Sequence, residues 1–129
     1  MAIELNHTIV PAHDKESSAR FFAEIFGLDY EGPAGHFAPV RVNDTLTLDF
    51  DNSERFEWHH YAFHVGDDEF DAIFGRIKGR NLSYWADPGQ TQKDEINRHD
   101  GGRGIYFEDP NGHLFEIITR PYGSGGWSP

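Results

Sequence analysis

The chain has 129 residues, with 11 Lys and Arg against 22 Asp and Glu, a formal charge of −11 and no cysteine. That length suits one domain with a real core, built here from two small halves, rather than two ordinary domains. The acidic balance repels nucleic acid and anionic membrane surfaces, and the lack of thiols excludes disulfides, a cysteine nucleophile and cysteine-bound zinc, so any metal site must draw on carboxylates and the eight histidines. The first ten residues have neither the basic start nor the apolar run of a secretion signal. No stretch approaches the roughly 20 apolar residues that span a bilayer, so a cytoplasmic protein is expected.

Residues 3–10, IELNHTIV, mix β-branched and polar positions and read as a strand, followed by a turn at Pro11 and a helix cap at Asp14. Ala19, Phe22, Ile25 and Phe26 then recur at helical spacing, and Gly27 stands where a left-handed stop belongs. PVRV, a turn at Asn43 and Asp44, and TLTLDF complete the first half as strands. The plan restarts at His60: HYAFHV reads as a strand, Asp67 as a cap, and Phe70, Ile73, Phe74 and Ile77 as a buried stripe that ends between Gly79 and Asn81. Residues 87–104 are polar, glycine-bearing and aperiodic, and loops of that length are functional or mobile. GIYF, a turn at DPNG and HLFEII follow as strands.

Superposing the two plans on His7 and His60 matches Asp14 with Asp67 and Phe21 with Phe74, while Leu28 and Leu82 differ by a single residue. The expectation is one domain, 1–129, of two β-α-β-β-(β) modules at about 3–52 and 58–122. Strand parity points His59 and His60 to opposite faces, and puts His60, Ala62 and His64 on one. Four residues of strand span about 13 Å, so His60 and His64 cannot ligate one ion together. The repeat selects His60, the counterpart of His7, and leaves His64 opposite Pro11. It also matches Leu48-Asp49-Phe50 with Phe115-Glu116-Ile117. If the halves face each other about a pseudo-twofold, two imidazoles and at least one carboxylate converge, a set whose open positions suit non-haem iron or related Lewis-acid chemistry.

The strand with His7, the HYAF strand that begins at His60 and the EDPNGHLFEI segment with Glu116 together resemble the vicinal-oxygen-chelate superfamily, over residues 3–122. The resemblance implies an α+β fold in which paired βαβββ modules form a cup-shaped mixed sheet. It implies one divalent ion, Fe, Mn, Ni or Zn, on His7, His60 and Glu116. As in similar short chains, it also implies a homodimer in which one chain gives the first histidine and the other gives the second histidine and the glutamate. The activity implied is that of a metal-dependent enzyme acting on a small substrate chelated through vicinal oxygens, dioxygenase-like. The alternatives are a glyoxalase-type lyase or isomerase, a fosfomycin-type transferase, or, in another class, a non-catalytic antibiotic or metabolite binder of the bleomycin-resistance type, whose members lack the triad. Glyoxalase I has a fourth ligand, a glutamate, where this chain has the shorter Asp49, which sets a four-ligand site against an ordinary strand carboxylate.

Four further residues are candidates. His64, on the ligand face, reads either as a proton relay or as a satisfied core histidine, and His99, in the long loop, either as a residue that closes over substrate or as a solvated one. Arg103 and Arg120 share the parity of Glu116 on regular strands and read as contacts for an anionic substrate group or as exposed strand-end charges. His113 falls on the face opposite Glu116 and belongs to the turn, and His59, His36 and His13 read as structural or surface residues. Gly101-Gly102-Arg103-Gly104 precedes a strand rather than a helix and so lacks the context that cradles phosphate.

Overall fold

The computed structural model describes residues 3–124, which fall into two units, Met1–Glu57 and Trp58–Pro129. In the first, strand β1 (His7–Ala12) starts later than the alternation suggests and runs through Pro11 rather than turning there. Ile3 and Leu5 are 101% and 64% exposed, so no burial draws them into a sheet. Pro11 is tolerated because β1 is an edge strand of its three-stranded sheet, where a missing N–H breaks no ladder.

Helix α1 (Lys15–Phe26) is capped as its sequence predicts. The Asp14 carboxylate accepts the N–H groups of Glu16 and Ser17, each at 3.1 Å, and Gly27 takes the left-handed conformation at φ 70°. The stripe Ala19, Phe22 and Ile25 is buried together with Val10, Ala12, Val40, Leu48 and Phe50. The last five belong to β1, β2 (Ala38–Arg41) and β3 (Thr47–Asn52), ordered β1-β3-β2, with β1 parallel and β2 antiparallel to the central β3. Helix α1 touches all three strands, so one face of the sheet is covered. Alternate residues on the other face, among them His7 and Ile9, are exposed.

The second unit repeats the plan with one strand more: β4 (His60–His64), α2 (Asp67–Gly79), β5 (Tyr84–Trp85), β6 (Gly104–Glu108) and β7 (Leu114–Ile118). Their order is β4-β7-β6-β5, with β4 parallel to β7 and the rest antiparallel. Where the second unit has β5, the first has only a single bridge between Ala34 and Phe37. The cap of α2 differs from expectation. Gly66 holds the cap position, and the Glu69 carboxylate reaches back to its N–H at 2.9 Å. Asp67 is instead the first helical residue. Phe70, Ile73 and Ile77 are buried, as are Ile105, Phe107, Phe115 and Ile117, and Phe74 meets Tyr84 edge-on with ring centres 5.0 Å apart.

The strand register is the same in both units. Asp49 lies opposite Ile9, two residues past His7, and Glu116 lies opposite Ala62, two residues past His60. The result is an α+β chain with two mixed sheets. Among the described residues no helix is long and apolar enough to cross a membrane.

Candidate metal centre

Residues in register on neighbouring strands rise from the same face of a sheet. On one face of the second unit this gathers His60, Ala62 and His64 of β4, Glu116 and Ile118 of β7, and Tyr106 of β6. Phe63, Phe115, Ile117, Ile105 and Phe107 point the other way, into the hydrophobic interior. The aromatic run around Glu116 therefore anchors the strand while the carboxylate emerges on the opposite side.

The hydrogen bonds of His60 select the tautomer of its neutral ring. Its Nδ1 lies 3.0 Å from the carbonyl oxygen of Leu114, and a carbonyl only accepts, so Nδ1 carries the proton and Nε2 presents a lone pair. That Nε2 stands 3.1 Å from Oε1 of Glu116. Two acceptors at this distance call for a shared proton or a metal ion. Two ligands each about 2.1 Å from one ion at a right angle stand about 3 Å apart, so the donors have the bite of a chelate. A histidine that bonds a backbone carbonyl through one nitrogen and leaves the other free is the arrangement that orients metal ligands. The Glu116 side chain is 13% exposed and that of His60 41%, so the pair opens on one side only.

Tyr106 was not singled out by the sequence. It is buried, its ring stacks on His60 with centres 5.9 Å apart, and its hydroxyl faces the Glu116 carboxylate. Burial first, and then the charge of Glu116, hold its phenol well above the usual range, so it stays protonated beside the carboxylate. The signal was present in the hairpin: strands paired about the DPNG turn place Tyr106 opposite Glu116.

These groups line a cavity of about 740 Å³ whose other walls include Ala62, Ile118, Pro88, Asn97, His99, Arg120 and Tyr122. His99 and Arg120 thus reach the same cavity as the His60–Glu116 pair. Arg103 borders it too, but its guanidinium bonds Asp71 at 2.7 Å and Asp67 at 3.0 Å, and lies 4.4 Å from the centre of the Phe70 ring. Its expected parity was off by one: Gly104 and Tyr106 share the face of Glu116, and Arg103 falls to the helix side. His64 shares the face of His60, yet its Nε2 lies 3.2 Å from the Thr119 carbonyl and it does not line the cavity.

His7 is exposed on β1 of the first unit, with Nδ1 2.7 Å from the Asn6 side-chain oxygen. Asp49 is half-buried on β3. Among the described residues of one chain, no three His, Asp or Glu side chains gather to hold an ion. His113 is fully buried, and its Nδ1 accepts the His59 N–H at 2.9 Å, a structural role that locks the DPNG turn to the start of β4. His59 meets the Tyr61 hydroxyl at 3.0 Å, His36 meets Asp51 at 3.3 Å, and His13 packs on Phe56.

A family model described as the glyoxalase/bleomycin resistance protein/dioxygenase superfamily matches residues 4–117. Metallothiol transferase FosB of Lysinibacillus sphaericus (strain C3-41) is 30% identical over 121 residues, covering 89% of this chain and 81% of that protein. Among solved structures, the chain is similar to oxidase ChaP-H2, with 56% identity and a TM-score of 0.93 over 98% of this chain and 100% of that one. It is likewise similar to oxidase ChaP-H1, with 55% identity and a TM-score of 0.91 over 95% of this chain and 100% of that one.

Proposed function

The chain belongs to the glyoxalase/bleomycin resistance protein/dioxygenase superfamily, and on that footing we propose that it is a divalent-metal-dependent oxidising enzyme, dioxygenase-like, whose small substrate is chelated through two neighbouring oxygens. The observation that carries this reading is the His60–Glu116 pair, with a lone pair on Nε2 facing a carboxylate oxygen at 3.1 Å. The likeness to two oxidases at 56% and 55% identity favours oxidation over the lyase, isomerase and transferase chemistries that share the fold. The same two donors argue against a metal-free binding protein.

In this reading His60 and Glu116 hold the ion and His7 is the third ligand. His7 would come from a second copy of the chain in a homodimer that works in the cytoplasm. The exposure of His7 and of Ile9 beside it, 50% exposed, supports a role for that sheet face in assembly. Imidazole and carboxylate donors suit iron, manganese, nickel and zinc alike. A bound ion supplies Lewis-acid activation of the oxygens it chelates.

The chain's own groups do the rest. The Leu114 carbonyl fixes the tautomer of His60. Tyr106 sets a protonated hydroxyl against the Glu116 carboxylate, a proton it does not release near neutrality. Ala62 and Ile118 line the cavity beside the pair with apolar surface.

Elemental analysis of protein purified without a histidine tag or chelator tests this. Wild type should carry about one ion per chain, lost in His7→Ala, His60→Ala and Glu116→Ala with the fold retained. Full metal content in both of the last two variants would overturn the centre. Failure of wild type to take up any of the four ions would leave the binding-protein reading in its place.

A further inference from the structure

Building on that metal-centre reading, we propose that the cavity of the second unit takes a molecule with an apolar body and an acidic group, and that Arg120 meets the acid. Two arginines border the cavity, and their surroundings separate their roles. Arg103 is paired with Asp67 and Asp71, which compete with any acidic ligand for its guanidinium. Arg120 has no carboxylate partner among the described residues. Asp100, which also borders the cavity, instead accepts the Gly123 N–H at 3.2 Å. In a chain of net charge −11, an unneutralised guanidinium at a cavity wall is a local point of attraction for anions.

The stem of Arg120 is also held in place. A Cβ on Gly102 would lie 2.5 Å from Cγ of Arg120 and 2.6 Å from Oγ1 of Thr119, so only glycine lets the loop press against that stem. The Arg103 N–H donates to Thr119 Oγ1 at 2.9 Å, and the Thr119 N–H returns to the Arg103 carbonyl at 3.0 Å. Packing of this kind restricts the side chain before any ligand arrives and lowers the entropy lost on binding. His99 borders the same cavity on a turn tied to buried Asn97, whose side chain accepts the His99 N–H at 3.2 Å and donates to the Ala86 carbonyl at 2.9 Å.

The remaining wall sets the body of the ligand. Ala62, Ile118, Pro88, Tyr106 and Tyr122 offer apolar and aromatic surface, and about 740 Å³ is the scale of a drug-sized molecule rather than a three-carbon acid. Glu116 and Arg120 are separated by at most about 14 Å of extended chain, so one such molecule can reach from the metal pair to the guanidinium.

Calorimetric titration of the chain loaded with Zn2+ tests this with two probes of like shape. One is 6,7-dihydroxynaphthalene-2-carboxylate and the other 2,3-dihydroxynaphthalene, which keeps the vicinal oxygens and lacks the acid. Wild type should bind the acid about tenfold more tightly or better. Arg120→Gln should close that gap without changing affinity for the neutral probe, and Arg120→Lys should keep part of it. Equal affinity for both probes in wild type, or a gap that survives in Arg120→Gln, overturns the assignment. Titration with Zn2+ alone reports separately on the metal centre. If the ion does not bind, the same comparison on the metal-free chain still decides the role of Arg120.

Discussion

On the proposed reading, the Tyr106 hydroxyl that faces Glu116 and the Leu114 carbonyl bonded to His60 fix which atoms of the pair are offered to a metal ion. Groups of this sort commonly change metal affinity ten- to a hundredfold, roughly, although they never touch the ion. Tyr106→Phe keeps the ring on His60 and removes only the donor. It should weaken metal binding by about tenfold with little change in thermal stability, read by competition against a chelating dye. Unchanged affinity would show that the phenol serves packing alone. His60 and Glu116 stood out in the sequence because a repeat of the whole module matched them to His7 and Asp49, and the strand register brings their side chains together. Arg103 was misplaced because the parity was not carried through the β6–β7 pairing: Tyr106 lies opposite Glu116, so Arg103 falls to the other face and its guanidinium meets the acids at the start of α2.

At the scale of elements, local chemistry decided the helices and was readable where a single residue carried it. Asp14 caps α1 through two backbone N–H groups, and these bonds hold its carboxyl below the ordinary aspartate value of 3.8. A lowered folded pKa stabilises the protein above that value, and the contribution is lost as pH falls through the folded pKa. Asp14→Ala should therefore lower the thermal midpoint by a few degrees at pH 7, and the difference from wild type should shrink as pH drops below 3.8. Asp14→Asn keeps a cap but cannot titrate, so its cost should be smaller at neutral pH. The second helix was read less well, because Asp67, Asp68 and Glu69 are all plausible first-turn acids and only Glu69 closes the box with Gly66. The length of the 87–104 segment marks it as functional or mobile, but its conformation is not legible in the sequence. It is held by side chains gripping backbone, such as Asp87 accepting the N–H groups of Thr91 and Gln92 and Asn97 bonding the Ala86 carbonyl. Such bonds leave no period in a sequence.

For the whole molecule, the duplication is the organising fact. Each unit sets a histidine at the head of a strand and a carboxylate two residues further along on the strand beside it. The first unit has three strands and an aspartate at that place, and the second has a fourth strand, a glutamate and the cavity of about 740 Å³ beside it. On the proposed reading, a finished centre borrows its third ligand from another copy, which divides the genetic information for one site between two polypeptides. Two dead chains should then repair one another. His7→Ala and Glu116→Ala protein, each without metal, would be unfolded together in equal amounts and refolded. Random pairing makes about half of the dimers mixed, and each mixed dimer rebuilds one of its two sites, so the pool should recover about a quarter of the wild-type metal content. A pool as empty as its components would mean that each chain must furnish all three ligands for itself.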